Sequence, residues 1–244
     1  MDELTYVLDA GNTSVKIGLF KNGELKGVER FPTNDPSRWN DLATFIPAKA
    51  SLAYCSVADA AFDAFIQEIA PQRIQINPNS PLPIANLYET PQSLGMDRLC
   101  NAVAIHSLKQ TENAVAIDLG TCIKFDLVEG DRYVGGSIAP GISLRYKSMH
   151  DYTAKLPLVE LLVQESFTGT NTITSIAAGV IQGIDSELKG MMEKYRAKFG
   201  PDLTFFMTGG DVDYFDFEGK NGIFVDPNLT LKGVYEIYLC HVAC

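Results

Sequence analysis

Two stretches of this sequence run an apolar segment into Asp-x-Gly and follow it with small polar residues: Asp9-Ala10-Gly11-Asn12-Thr13-Ser14 and Asp118-Leu119-Gly120-Thr121. A single stretch of this kind suits an ordinary turn, because Asp and Gly both favour turn backbone. Two in equivalent places suit a polyphosphate site. Gly11 and Gly120 let the backbone approach phosphate oxygens with no Cβ in the way, and Asn12, Thr13, Ser14 and Thr121 add small donors. Asp9 and Asp118 can hold a cation beside those oxygens. Phosphoryl transfer demands such a site, since its transition state needs positioning and charge neutralisation more than covalent help. No GxxxxGK[ST] pattern occurs, which excludes an ordinary P-loop as the first reading.

Gly95-Met96-Asp97-Arg98 opens a helix, with Asp97 off its apolar stripe. Asp97 either complements the helix dipole or accepts the proton of an attacking hydroxyl, with Arg98 beside it binding an anionic substrate group. Gly135-Gly136 and Pro140-Gly141 flank Ser137-Ile138-Ala139, as a tight strand exit or a place where phosphate comes close. Thr208-Gly209-Gly210 ends a strand, either as a plain turn or where an adenosine sits against open backbone. Gly179 and Gly183, four apart on a long helix, permit close helix packing, possible also between subunits.

The elements that must position these groups follow from periodicity. Leu4 to Leu8, Val15 to Phe20 and Leu25 to Phe31 read as strands of a meander, with an Asn-Gly hairpin signal at Lys21-Asn22-Gly23. A helix over Pro36 to Phe45, a strand over Ser51 to Cys55, a helix over Ala60 to Ala70 and a strand over Arg73 to Ile76 come next. Pro78, Pro81 and Pro83 forbid regular structure over Asn77 to Pro83, so the next helix waits until after Gly95, where Met96, Leu99, Cys100, Val103, Ala104 and Leu108 fall at helical spacing. Ala114 to Asp118, Cys122 to Val128 and Tyr133 to Ile138, turning at Glu129-Gly130-Asp131, repeat the meander, so an internal duplication is the economical reading. A helix over Thr172 to Phe199 is supported by Ile173, Ile176, Val180, Ile184, Leu188, Met191 and Tyr195 and closed by Gly200-Pro201. A strand over Leu203 to Met207 and a terminal helix over Leu229 to Val242 complete the chain.

Composition narrows the partners. The 244 residues are 46% hydrophobic and 20% charged, ordinary globular values that allow one large domain or two small ones. The net charge of −10, with no basic cluster, disfavours nucleic acid and membrane surfaces as partners. Asp2 and Glu3 stand where an apolar leader would lie, and no stretch approaches the roughly 20 uncharged residues of a membrane span, which predicts a mature soluble protein. Cys55, Cys100, Cys122, Cys240 and Cys244 form no CxxC pair and are odd in number, as expected of reduced thiols in a cytoplasmic chain. His106, His150 and His241 are too scattered for a His-based zinc site.

Taken in order, the groups above, with Thr153-Ala154-Lys155-Leu156-Pro157, Gly169-Thr170-Asn171-Thr172 and Thr208-Gly209-Gly210-Asp211, resemble the type III pantothenate kinase family of the acetate and sugar kinase, actin-like superfamily. The resemblance implies an α/β chain of two ribonuclease-H-like (actin-like ATPase) domains, each a mixed sheet with a three-strand meander flanked by helices. With the duplication, these divide as residues 1–112 and 113–244. It implies transfer of the γ-phosphate of ATP to the primary hydroxyl of pantothenate, giving 4′-phosphopantothenate, the first step of coenzyme A biosynthesis. Mg²⁺, a monovalent cation (K⁺ or NH₄⁺) and a homodimer with the substrate site near the subunit interface come with it. Other phosphotransferases or phosphohydrolases of the superfamily, and a non-catalytic ATP-binding regulator, are the competing readings.

By position, Asp9 to Lys16 resembles the first phosphate loop, with Asp9 near Mg²⁺. Asp97 resembles the proton acceptor, and Gly95, Met96, Asp97 and Arg98 the lining of the pantothenate site. Asp118 is similar to the monovalent-cation ligand, and Gly120 and Thr121 to ATP contacts. Thr172 resembles the pantothenate contact that a neighbouring subunit supplies, with Tyr88 as a substrate neighbour. One departure stands out. Where many members read Asp-x-Gly-Thr-Ala-Thr-Thr-x-Asp, this chain has Cys122, Ile123 and Lys124 before Asp126, and strand alternation leaves open whether Lys124 points toward the cation.

Overall fold

Apolar alternation builds the first sheet: β1 (Leu4–Ala10) and β2 (Ser14–Lys21) bury Val7, Leu8, Ala10, Val15 and Ile17. The computed structural model describes residues 4–47, 50–109, 111–160, 166–217 and 221–243; Asp2, Glu3 and Cys244 lie outside them. Asn22 and Gly23 both take positive φ, 52° and 85°, the backbone of a two-residue hairpin turn into β3 (Glu24–Pro32). The segment read as one helix from Pro36 divides into a 3-10 turn at Pro36–Arg38, capped by Asp35, and α1 (Trp39–Phe45). β4 (Ser51–Ser56), α2 (Ala60–Ile69) and β5 (Arg73–Gln75) follow, giving the sheet order β3-β2-β1-β4-β5. The meander is antiparallel, whereas β4 runs parallel to β1 and β5 parallel to β4. After the proline-rich stretch come the short β6 (Ala85–Asn86) and α3 (Met96–Leu108).

The second meander is β7 (Asn113–Leu119), β8 (Cys122–Glu129) and β9 (Arg132–Pro140), and β10 (Thr204–Thr208) and β11 (Ile223–Val225) extend it in the order β11-β10-β7-β8-β9. Between β9 and β10 stand α4 (Ile142–Asp151) and α5 (Thr172–Phe199). Asn171 and Thr174 form a reciprocal capping box at the head of α5, and Gly200 closes it at φ 98°. The buried seam of α5 runs through Ile176, Val180, Ile184, Leu188 and Met192. The four-residue step from Leu188 selects Met192, so Met191 is only half-buried, and Ile173, in the first turn, is 49% exposed.

The chain forms two compact units. One holds Met1–Leu108, Asp131–Val134 and Asn228–Cys244, and the other Lys109–Gly130 and Gly135–Pro227. In the first, the opening residues of β9 pair with β6, and α6 (Leu229–Ala243) packs on α3 so closely that a Cβ on Gly233 would lie 1.8 Å from the Cys100 carbonyl oxygen. The buried Thr230 hydroxyl donates to Asn101 Oδ1 at 2.9 Å in the same contact. Among the described residues no helix is long and apolar enough to cross a membrane.

Candidate active site

In the first unit, β1 delivers Asp9 to the mouth of the β1–β2 hairpin, and the antiparallel register sets Lys16 directly across from it. The hairpin tip is pinned by backbone: Gly11 N donates to Ser14 O at 3.0 Å, Thr33 N to Thr13 O at 3.1 Å, and the Thr33 hydroxyl to Gly11 O at 2.9 Å. That leaves the side chains of Asn12, Thr13 and Ser14 exposed on a fixed loop, where donors for an anion belong.

The parallel register places Cys55 of β4 beside Asp9, with its thiol 3.7 Å from Asp9 Oδ1. Hydrogen bonding to Cys100, then burial, then the charges of Cys100, Asp9 and Asp97 hold the Cys55 thiol far above its ordinary range. The Asp9 carboxylate of the sheet thus lies against the buried Cys55 sulfur, and the charge of Asp97 at the head of α3 is felt there as well. Asp97 Oδ1 accepts from Arg98 N at 2.9 Å, which folds the carboxylate over Gly95; a Cβ there would lie 2.6 Å from it. Arg98, only 4% exposed, reaches the Tyr88 hydroxyl at 3.4 Å with its guanidinium carbon 5.4 Å from the centre of that ring. Tyr88 stacks in turn on Tyr133. Met96, the first residue of α3, is buried.

In the second unit, Asp118 is the penultimate residue of β7 and Lys124 of β8 is its register partner, so both hairpins set a lysine across from the aspartate. Lys124 Nζ lies 2.9 Å from Asp118 Oδ2. Gly141 N donates to Thr121 O at 3.0 Å, and a Cβ on Gly141 would fall 2.0 Å from Gly120 O. Gly141→Ala is therefore expected to displace the Gly120-Thr121 loop and destabilise the protein by about 1 to 3 kcal/mol; an unchanged thermal midpoint would show that the approach is not needed.

Sequence reading assigned no role to Asp211, which the fold brings to this loop. Its N–H donates to Leu119 O at 2.9 Å, and Gly209, at φ 105°, packs against the same carbonyl. Burial, then the neighbouring charge of Asp118, raises the Asp211 carboxyl to about 6. Because the folded value lies above the ordinary 3.8, the native state favours the protonated form, and that stabilisation is complete below pH 3.8 and lost as pH rises through 6. Asp211→Asn should consequently gain thermal stability relative to the parent as pH rises from about 4 to about 7, by about 1 kcal/mol after discounting for solvent screening. Parallel midpoint curves for the two proteins across that range would contradict it.

Thr172, the first residue of α5, is exposed, and no hydrogen bond or ion pair among the described residues links it to the Asp118 loop. Nor does any group of three or more His, Cys, Asp or Glu among them stand ready to hold a metal. A dication held by nucleotide phosphates, water and one carboxylate fits that donor set, as Mg²⁺ prefers, and Asp9 offers the carboxylate.

A profile of the type III pantothenate kinase family matches residues 5–194. A type III pantothenate kinase from Phocaeicola vulgatus is 35% identical over 236 residues, covering 96% of this chain and 97% of that one. Another from Christiangramia forsetii is 36% identical over 235 residues, covering 95% and 96%. A Baf family protein from Campylobacter jejuni superposes with a TM-score of 0.62 at 19% identity, over 98% of this chain and 100% of that one. A ROK family glucokinase from Streptomyces griseus, solved with glucose and AMPPNP, superposes with a TM-score of 0.53 at 11% identity, over 95% and 97%. At those identities the solved structures speak for the fold alone, and it is the actin-like α/β fold that the resemblance implies.

Proposed function

We propose a phosphotransfer function for this chain, which belongs to the type III pantothenate kinase family: it moves the γ-phosphate of ATP to the primary hydroxyl of pantothenate, forming 4′-phosphopantothenate for coenzyme A biosynthesis. The observation that carries the reading is the setting of the two carboxylates in one unit, Asp9 at the mouth of the first hairpin against the Cys55 thiol and Asp97 held over Gly95 at the head of α3 by the Arg98 N–H. Asp97 accepts the proton of the attacking hydroxyl and releases it to water after transfer. Arg98, oriented by Tyr88, binds the pantothenate carboxylate and thereby aims the hydroxyl at the other end of the substrate.

Backbone N–H groups and the side chains of Asn12, Thr13 and Ser14 cradle the phosphates, with Lys16 adding positive charge. Gly120 and Thr121 contact ATP. Asp9, together with the nucleotide phosphates, would hold Mg²⁺, which would supply charge neutralisation at the transferring group. Thr172 serves the pantothenate site of a partner subunit in a cytoplasmic homodimer. Support for that interface comes from exposed apolar side chains near the head of α5, with Phe167 84% and Ile173 49% exposed. The test is product analysis with pantothenate and Mg-ATP: the phosphate ester should form only when both are present, and ATP consumption that ignores pantothenate would sink the reading.

A further inference from the structure

We infer that the ammonium of Lys124 occupies the place on Asp118 that the family resemblance gives to a K⁺ or NH₄⁺ ion, so that this kinase works without a monovalent cation. The inference rests on the kinase reading above. Antiparallel pairing of β7 and β8 sets Asp118 and Lys124 opposite one another on one face of the sheet, and Nζ lies 2.9 Å from Oδ2. Both side chains are largely withdrawn from solvent, at 16% for Asp118 and 19% for Lys124. The carboxylate that would ligate an ion is therefore already engaged by a cation of the same unit charge. A lysine head group is an alkylated ammonium, and its tether removes the need to recruit an ion from solution.

A monovalent ion therefore does not fit beside it on the same carboxylate. Two unit positive charges about 4 Å apart, at the effective dielectric of a partly buried site, would weaken such an ion by on the order of 10²- to 10³-fold. Asp211, the second carboxylate near Asp118, adds negative charge to the cluster, which favours keeping one cation there. A purely structural ion pair is the competing reading. The two differ in what its removal does: emptying a cation site creates a demand for K⁺, and breaking an ordinary salt bridge does not.

The experiment uses the full chain and two neutral variants, Lys124→Met and Lys124→Thr. Pantothenate phosphorylation and the affinity for Mg-ADP, by calorimetry, are measured with tetramethylammonium, Na⁺, K⁺ or NH₄⁺ as the sole monovalent cation. The parent protein should vary by less than about 2-fold across the four salts in both readouts, whereas the variants should lose about 10-fold or more without K⁺ or NH₄⁺ and regain it saturably with either. A parent protein that requires K⁺, or a variant whose loss neither ion restores, overturns the inference. If no protein forms product in any salt, the kinase reading fails and calorimetry still decides: K⁺-dependent Mg-ADP binding confined to the variants upholds the substitution of ion by lysine, and any other pattern refutes it.

Discussion

Asp97→Asn is expected to lower kcat for pantothenate phosphorylation by about 10²- to 10⁴-fold, the range a positioned general base contributes. Asparagine keeps the size of the side chain, and its Oδ1 can still accept the Arg98 N–H bond of 2.9 Å, so the head of α3 should hold its shape. The thermal midpoint should stay within about 2 °C of the parent, as for substitutions that disturb neither core nor cap. The apparent affinity for Mg-ATP should stay as well, because the first phosphate loop lies on β1 and β2. A loss confined to kcat identifies an interaction made in the transition state. Wild-type turnover by this variant would place the base elsewhere.

Arg98→Met should cost about 10²- to 10³-fold in kcat/KM for pantothenate, the scale of losing one partner of a desolvated charge pair. The substitution fills similar volume with an unbranched apolar chain, and a thermal midpoint measured alongside separates lost folding from lost substrate binding. The defining control is an acceptor in which an alcohol replaces the pantothenate carboxylate. The parent should handle that acceptor poorly and the variant no worse, since the interaction being removed is absent from both. Arg98→Lys keeps the charge but loses the planar fork and the stacking on Tyr88, and should fall between them. Equal losses on both acceptors would make Arg98 a structural residue of the α3 corner.

Local chemistry made much of this legible. Asn22-Gly23 announces its turn because few other residue pairs tolerate positive φ at both positions. The repeated Asp-x-Gly announces two equivalent hairpins because the same polar turn follows the same buried strand. Where the signal depends on three dimensions it fades. β6 and β11, two and three residues long, carry no readable period. α4 buries only Ile142 and Tyr146, too few to mark a helical stripe.

The site shows the same division. Asp97 and Asp9 are visible as motif members, yet only the pairing of β4 with β1 brings Cys55 beside Asp9. Asp211 ends a quoted motif, but its neighbour Asp118 lies far away in sequence, so its raised carboxyl has no local signature. Strand alternation allows Lys124 either face, and the β7–β8 register aims it at Asp118. The return of α6 to α3 depends on Gly233 meeting the Cys100 carbonyl, which a glycine in a helical pattern does not reveal by itself.

The most direct test of the central claim is ³¹P NMR of the purified protein with pantothenate and Mg-ATP. A phosphate monoester on the primary hydroxyl of pantothenate should form in step with ADP and be absent when pantothenate is omitted. Inorganic phosphate appearing at the same rate with or without pantothenate, and no ester, would contradict it.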